Sequence, residues 1–463
     1  MNEAWSWATA EFGQVELSDS RRTARLVAMG AAACERPSGK VAAVFGTDRE
    51  REGAYDFLEN EQVAPEEIMA GVAEATLRRS EGLPFVYVPI DGTSITVVDR
   101  AAERDFGSIG STGNARGLKI IDALAVDPEG TAIGWLALTF WARTKRAPPQ
   151  GSRARAARPV EEKETQRWID TVRAAKTRLD EYGQRGWFQI DREGDGRDVL
   201  LELAESGHWW TVRGARDRGI ELEGGTGRLR SELGLRTAAG EYELAVVARV
   251  KRRARAARMV VRVAQVVLRL RRWRDGAITP LPITAVWARE EGTTPDGEQP
   301  IDWLLYTNRA IETLDDAKLV IHGYAQRWRI EECHRTWKSG QCDIESTQLR
   351  SFAAVQRWAI ILGAVATRIE RLKRISRINP SAPGSIELTP IELRALKMLK
   401  FGAAPPDREP TIADAVSWLA ELGGYANKYS GKPPGAVVLG RGLRYLRPAA
   451  HMLSIQEGRG ATG

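Results

Sequence analysis

Cysteine, histidine and long apolar runs are all scarce in this chain of 463 residues. The three cysteines form no CxxC pair and cannot all be disulfide-bonded, which fits a reducing cytosol. Only four histidines occur, and we expect His334 to be a satisfied polar residue rather than a metal ligand. No stretch of about 18 apolar residues is present, and the N-terminal segment has acids but no apolar signal region. We therefore expect a cytosolic protein that is neither secreted nor membrane-spanning.

Nucleotide-binding signatures are also lacking. The Gly-Lys pairs at Gly39/Lys40 and Gly431/Lys432 have neither the upstream glycine nor the following Ser or Thr of a P-loop, so no nucleotide cofactor is expected. In contrast, the formal net charge is +7, which favours a polyanionic partner. The length allows two or three domains with a substantial core.

The most informative segment is YAQRWRIEECHRTWK, residues 324–338. Tyr324, Arg327, Glu331 and Lys338 are spaced so that a continuous helix would project all four from one face. Glu332 would lie about 100° away on the same helix, which singles out Glu331 as the acid of that face. One carboxylate among phosphate-binding side chains suits a metal ion and a polyanion bound side by side.

Two more acids follow apolar runs. The run FVYVPI, residues 85–90, is typical of a strand buried on both faces and is predicted to stop at Asp91, while WFQI is predicted to stop at Asp191. Carboxylates at the tips of adjacent strands, with a third on a nearby helix, can hold two divalent cations about 3.5 to 4 Å apart for in-line phosphoryl transfer. Asp91, Asp191 and Glu331 are the candidate set, and Asp195 is a possible spare carboxylate.

The signature Tyr-x2-Arg-x3-Glu-x6-Lys, together with IDGTS around Asp91 and IDREGD around Asp191, resembles the DDE transposases of the insertion sequence four family. Further segments similar to that family occur along nearly the whole chain, among them SDSRRTARL, PSGK, EGAYDFL, DWLLYT and LAELGGY. One departure is Asp56 and Glu59, which flank Tyr55 where the family tends to be basic.

The resemblance implies a cut-and-paste transposase that acts on double-stranded DNA, both terminal inverted repeats and target, as a homodimer. Two Mg²⁺ ions per site, replaceable by Mn²⁺, would be held by the three acids. Tyr324, Arg327 and Lys338 would grip the phosphates flanking the cut bond, and Arg335 would contact DNA or join an ion pair with Glu331. The resemblance also implies that Trp303 stacks on a base flipped out during hairpin formation. In the N-terminal region it assigns DNA contacts to Arg21, Arg22, Arg25 and Lys40.

Element patterns along the chain predict a mixed α/β fold with a ribonuclease-H-like catalytic core, a β-sheet insertion, and helical N- and C-terminal domains. Three strand-like runs, a helix, the strand WFQI and a second helix give the order βββαβα of such a core. We predict a helical DNA-end-binding domain at residues 1–70, a catalytic domain at 71–375 with an antiparallel insertion at about 214–318, and a helical dimerisation domain at 376–463. The basic segment 143–159 is predicted to be a mobile loop, and residues 251–258 a DNA-backbone clamp.

Two other functions remain open at this point. A metal-dependent nuclease with the same core would cut DNA without strand transfer, and would not require Trp303 or the basic N-terminal region. A catalytically silent, transposase-derived DNA-binding regulator would need no acids. The individual residues also have ordinary alternatives, because acids are usually surface carboxylates and Trp328 and Trp337 are expected to pack in the core.

Overall fold

A computed structural model describes residues 3–99, 104–110, 115–143, 158–248, 252–272, 274–402, 405, 407–426 and 433–460. The described chain divides into two compact units. Unit 1 comprises residues 1–83, 92–146 and 329–463, and unit 2 comprises residues 84–91 and 147–328. Most of the basic segment predicted as a mobile loop, residues 144–157, lies outside the described part, as does Lys251 of the predicted clamp.

The helices begin where local capping chemistry favours them. Thr47 and Glu50 form a capping box at the start of α4, Thr313 and Asp316 do so at α9, and Gly183 ends α6 in the left-handed conformation with φ of 71°. The helices are α1 (Glu3–Phe12), α2 (Ser20–Glu35), α3 (Val41–Val44), α4 (Asp48–Glu59), α5 (Pro65–Arg78), α6 (Thr165–Tyr182), α7 (Arg197–Glu205), α8 (Leu229–Leu235), α9 (Leu314–Ala325), α10 (Trp328–Lys338), α11 (Phe352–Ile378), α12 (Pro390–Phe401), α13 (Ile412–Leu422) and α14 (Ala436–Gly460).

The strands are rich in Val, Ile and aromatic residues, as expected for pleated, half-buried segments. They are β1 (Val86–Val97), β2 (Gly107–Ser108), β3 (Arg116–Val126), β4 (Ala132–Trp141), β5 (Gly186–Ile190), β6 (Trp209–Arg213), β7 (Gly219–Leu222), β8 (Gly225–Arg228), β9 (Gly240–Val246), β10 (Arg255–Arg271), β11 (Ile278–Glu290) and β12 (Asp302–Thr307).

In unit 2, the first half of β1 pairs in parallel with β5, and β5 pairs in parallel with β6. From β6 onward the pairings of the described strands are antiparallel: β6 with β12, β12 with β11, β11 with β10, β10 with both β7 and β9, and β7 with β8. The parallel part is buried on both faces, since all five residues of β5 are buried, and Gln189 is the polar residue among them. The Val-rich residues after 214 therefore form the antiparallel insertion that their pattern predicts.

In unit 1, β3 pairs antiparallel with β4 and with the short β2, and β1 continues into this unit as the neighbour of β3. Helices α5 and α11 pack against β4. Gly134 on β4 permits this approach, because a Cβ atom there would lie 1.9 Å from the Thr76 hydroxyl of α5. The strand order is β4-β3-β1-β5-β6. Strands β1, β3 and β4 come first in the chain, and β5 and β6, each preceded by a helix, then add in parallel to β1. This is the order of the ribonuclease H fold. The predicted fold class is confirmed.

Two arginines of the basic segment at the start of β10 form ion pairs within the insertion. Arg255 pairs with Glu290 and Glu298 at 2.6 Å each, and Arg258 pairs with Glu241 at 2.5 Å. Glu290 and Glu241 lie on the neighbouring strands β11 and β9, and Glu298 lies in the connection between β11 and β12. The charges of Arg255 and Arg258 are therefore partly balanced in the protein itself.

Helix α11 is long and apolar enough to span a bilayer by length and composition. However, 83% of its apolar window is buried inside the protein, and its Gly363 carbonyl accepts a hydrogen bond from the Trp135 indole at 3.0 Å. These are the properties of a core helix.

Candidate active site

The two aspartates predicted at strand ends lie side by side in unit 2. Ile90 of β1 pairs with Ile190 of β5 in a parallel register, and Asp91 and Asp191 are the next residue of each strand path. Asp191 follows the end of β5, where its carboxylate accepts a hydrogen bond from the Glu193 amide at 2.8 Å. The prediction that the first strand stops at Asp91 was wrong, because β1 continues to Val97 as a partner of the next strand in the sheet. Asp91 instead marks the point at which pairing with β5 ends.

Arg327 contacts the first of these acids. Its Nη1 lies 3.0 Å from Asp91 Oδ2, and the side chains are only 12% and 13% exposed, respectively. An ion pair of this burial is stronger than a surface pair, because fewer water molecules screen it. The Arg327 guanidinium thus balances the negative charge of Asp91, as a bound cation would.

The prediction of one continuous helix through Tyr324 and Lys338 was wrong. Helix α9 ends at Ala325 and α10 begins at Trp328, so that Gln326 and Arg327 form the connection. The Arg327 amide donates to the Tyr324 carbonyl at 3.0 Å, a tight turn that ends the first helix. Helical spacing alone did not reveal this break, since no Pro or Gly marks it.

Tyr324, Trp303 and Arg213 form a cluster in unit 2. The Tyr324 and Trp303 rings meet edge to face with centroids 5.1 Å apart, and the Arg213 guanidinium lies 5.9 Å from the centroid of the Trp303 ring. Burial raises the pKa of Tyr324, with Arg213 and Arg327 opposing the rise and Asp191 adding to it. The charges of Arg327 and Asp191 therefore act on Tyr324. Arg213, at the end of β6, is the site residue that sequence reasoning missed.

The third predicted acid lies on α10, which is part of unit 1 from Arg329 onward. Glu331 is half-buried in the first turn of this helix, and Arg335 one turn later is exposed. Lys338, in the last turn, lies 3.3 Å from the Thr93 hydroxyl of β1 and 3.8 Å from Glu345. Lys338 therefore contacts the part of β1 that belongs to unit 1.

Helix α10 is anchored by a buried pair that the sequence did not indicate. His334 Nε2 lies 2.8 Å from Asp122 Oδ2 on β3, and the Trp135 ring stacks parallel to the imidazole at 6.3 Å. Burial raises the pKa of Asp122, and His334 opposes the rise. His334 is a satisfied polar residue, as predicted. Trp337 is also buried as predicted, whereas Trp328 is 38% exposed, so its predicted place in the core was wrong.

Asp195 belongs to a separate interaction. Its side chain is fully buried and pairs with Arg218 at 2.5 Å, while its other oxygen accepts from the Ala215 amide at 2.7 Å. Both oxygens are engaged with unit 2, so this residue acts as structural support for the segment after β6.

The basic N-terminal residues lie where a helix starts. Asp19 caps α2 and also pairs with the exposed Arg21, whereas Arg22 contacts the Gln62 side chain. The Arg25 guanidinium packs over Gly53 of α4, and Lys40 is exposed just before α3.

Among the residues that the structure describes, no group of three or more His, Cys, Asp or Glu side chains is arranged to hold a metal ion. Asp91 and Asp191 nevertheless fit a divalent cation, because they offer hard oxygen donors on adjacent strands. Asp91 is already paired with a positive group, the Arg327 guanidinium. The residues at this edge are therefore compatible with Mg²⁺.

Comparison with known proteins adds two domain matches. Residues 4–63 match the family described as transposase DNA-binding, and residues 162–368 match the transposase DDE domain. The second match includes Asp191 and Glu331 and begins after Asp91. Among solved structures, a cryo-EM structure of the piggyBac transposase synaptic complex with hairpin DNA is similar, with 9% sequence identity and a TM-score of 0.38 over 81% of this chain and 73% of that chain.

Proposed function

We propose that this chain, which carries a transposase DNA-binding domain and a transposase DDE domain, moves its element by a cut-and-paste route. It binds the terminal inverted repeats and brings two ends together as a homodimer. It then cleaves each end to free a 3′-hydroxyl, releases the element through a DNA hairpin and joins it to target DNA. We place it in the insertion sequence four family, with a close resemblance to Tn-five transposase, and in the bacterial cytosol.

The observation that supports the chemistry best is the register of Asp91 and Asp191 on adjacent parallel strands, with Arg327 on Asp91. We assign Glu331 as the third ligand. Together the three carboxylates would hold two Mg²⁺ ions, for which Mn²⁺ can substitute, and the ions would activate the attacking oxygen and stabilise the departing one. No covalent enzyme intermediate is needed, so no Ser or Tyr nucleophile is required.

The basic signature residues would handle the DNA strand. Arg327 has a planar fork that can bind one phosphate through two hydrogen bonds, and Lys338 acts as a point charge. In the DNA-free protein these side chains contact Asp91 and Thr93, respectively. DNA phosphates would compete for Arg327, and its departure would leave the Asp91 carboxylate available. Tyr324 would position the same strand, and the exposed Arg335 would add a backbone contact.

A basic groove in unit 2 supports a DNA path next to this edge. The groove has a volume of about 880 Å³, and its lining includes Asp195, four residues after Asp191. Among the residues that the structure describes, eight basic side chains line it against five acidic ones. A surplus of positive charge suits the phosphate backbone, which supplies most of the non-specific affinity of proteins for DNA.

The N- and C-terminal regions would bind the DNA ends and the second subunit, respectively. We assign residues 1–70 to end binding, with Arg21, Arg22, Arg25 and Lys40 on the phosphates. Residues 71–375 would form the catalytic domain and residues 376–463 the dimerisation domain. The helix start at Ser20 adds backbone amides and a helix dipole to the charge of these side chains.

The proposal is tested by incubating the purified chain with DNA that carries the element's inverted repeats and flanking sequence. With Mg²⁺ we expect cleavage at both ends, hairpin-ended element and joined product. EDTA should abolish all three products but leave a shifted DNA complex. A silent regulator would shift the DNA without any product, and a nuclease would cut it without joining. Either result would contradict cut-and-paste activity.

Replacing Trp303 by alanine should lower the hairpin yield while leaving the first nick intact. A stacked base contributes about 1 to 3 kcal/mol, so we expect a loss of roughly 5- to 150-fold in hairpin formation. The Trp303→Phe variant retains an aromatic ring and should recover part of the yield. The measurement is a denaturing gel that separates nicked from hairpin DNA. Equal hairpin yields for the alanine variant and the parent would remove Trp303 from the mechanism.

A further inference from the structure

A cavity of about 490 Å³ lies in unit 1 between the end of α2 and the C-terminal helix α14. Its walls include Arg36 from the loop after α2, and Arg444, Arg447 and His451 from α14. Glu35 is the carboxylate among the lining residues. Three guanidinium groups against one carboxylate give the cavity a positive charge at neutral pH.

Arg447 is the central feature of this cavity. It is only 5% exposed, and its Nε and Nη1 atoms are buried without a hydrogen-bond partner in the described structure. An unsatisfied buried donor destabilises the protein, and more so when the group is charged. Burial lowers the pKa of Arg447, with Cys34 opposing and Arg368 adding to the fall. An anion in the cavity would remove this penalty.

The buried acid near Arg447 is close to another arginine. Glu392 is completely buried and lies 3.6 Å from Arg368, whose Nη1 also donates to Cys34 Sγ at 2.9 Å. Arg444 is partly engaged, because its Nη2 donates to the Pro37 carbonyl at 3.2 Å. Glu392 and Glu35 favour the charged form of Arg447, but neither forms an ion pair with it in the described structure, and its guanidinium lines the cavity.

We propose that this cavity binds a phosphate group. Planar guanidinium groups match phosphate oxygens in pairs, and the volume exceeds what one water-sized ion needs. The described lining residues are Arg, Glu, Pro, Ser, Ala and His, and none of them is a Phe, Tyr or Trp on which a base would stack. A compact, highly charged phosphate compound fits this chemistry, as does a backbone phosphate of DNA. Occupancy would link α14 to the loop after α2, within residues 4–63 of the DNA-binding domain.

Pyrophosphate is the probe for a free phosphate compound. Calorimetric titration of the full chain should show binding to the parent and equally to Arg441→Gln, an exposed arginine of the same helix outside the cavity lining. Arg447→Gln and Arg36→Gln should bind about tenfold more weakly or worse, since a hydrogen bond to a charged group contributes about 1.5 to 3 kcal/mol. Arg36 is exposed, so its variant should fold even if the Arg447 variant does not.

DNA binding in increasing salt separates the two sources of phosphate. If the cavity takes a backbone phosphate of DNA, Arg36→Gln will weaken DNA binding and reduce the salt slope by about 1, while Arg441→Gln will not. If pyrophosphate fails to bind and Arg36→Gln leaves the salt slope unchanged, the cavity is not a phosphate site. None of these readouts depends on cleavage. The phosphate site can therefore be disproved while the proposed transposase activity stands, and the activity can be disproved while the phosphate site stands.

Discussion

Replacing Glu331 by glutamine is expected to leave DNA-end binding intact and to lower Mg²⁺-dependent cleavage by at least about 100-fold. Loss of a residue that only orients a metal ligand typically costs 10- to 100-fold in metal affinity or activity, so loss of a ligand itself should cost more. Glutamine keeps the size and the helix propensity of the side chain, and the buried Asp122–His334 pair that anchors α10 does not include Glu331. The helix should therefore stay in place.

The matched control for this change is Glu332→Gln on the same helix. The Glu332 carboxylate pairs with Arg329 at 3.0 Å and with Lys373 at 3.8 Å, so it has a structural role. We expect this variant to cleave within a few-fold of the parent rate. Gel shift and cleavage assays on the same preparations, in Mg²⁺ and in Mn²⁺, measure both properties. Parent-like cleavage by Glu331→Gln would remove Glu331 from the set of ligands.

Sequence patterns were sufficient for most of the fold. The apolar run before Asp91, the strand WFQI and the Val-rich segments after residue 214 all form strands, because their side chains satisfy a pleated, buried surface wherever the strand pairs. Parallel pairing of two such strands then places Asp91 and Asp191 at one edge. This part of the site follows from the two strand patterns once the buried strands pair in parallel.

Contacts between residues far apart in the chain could not be predicted from the sequence patterns. The ion pair between Arg327 and Asp91 joins residues 236 positions apart, and the Asp122–His334 pair joins residues 212 apart. No local pattern marks either pair, or the Arg213 contact with Trp303. The break between α9 and α10 was also missed, since helical spacing continues through it although the backbone hydrogen bonds do not.

Two aspartates four residues apart should respond oppositely to substitution. Asp195→Ala removes the buried partner of Arg218, whose side chain is only 12% exposed, and should destabilise the protein by about 3 to 5 kcal/mol. Asp191→Asn retains an oxygen that can accept from the Glu193 amide, so its stability should stay within about 0.5 kcal/mol of the parent. Cleavage should show the reverse order, because only Asp191 is assigned to the metal ions.

Urea unfolding and end cleavage, measured on both variants, test this contrast. The double variant Asp195→Ala/Arg218→Ala provides the internal check, because it leaves neither charge buried without its partner. We expect it to be less destabilised than the sum of the two single variants, as contacting residues are not additive. Cleavage by Asp195→Ala, assayed well below its unfolding midpoint, should remain close to that of the parent. If instead Asp195→Ala is stable but inactive while Asp191→Asn cleaves normally, the two aspartates have been assigned the wrong way round.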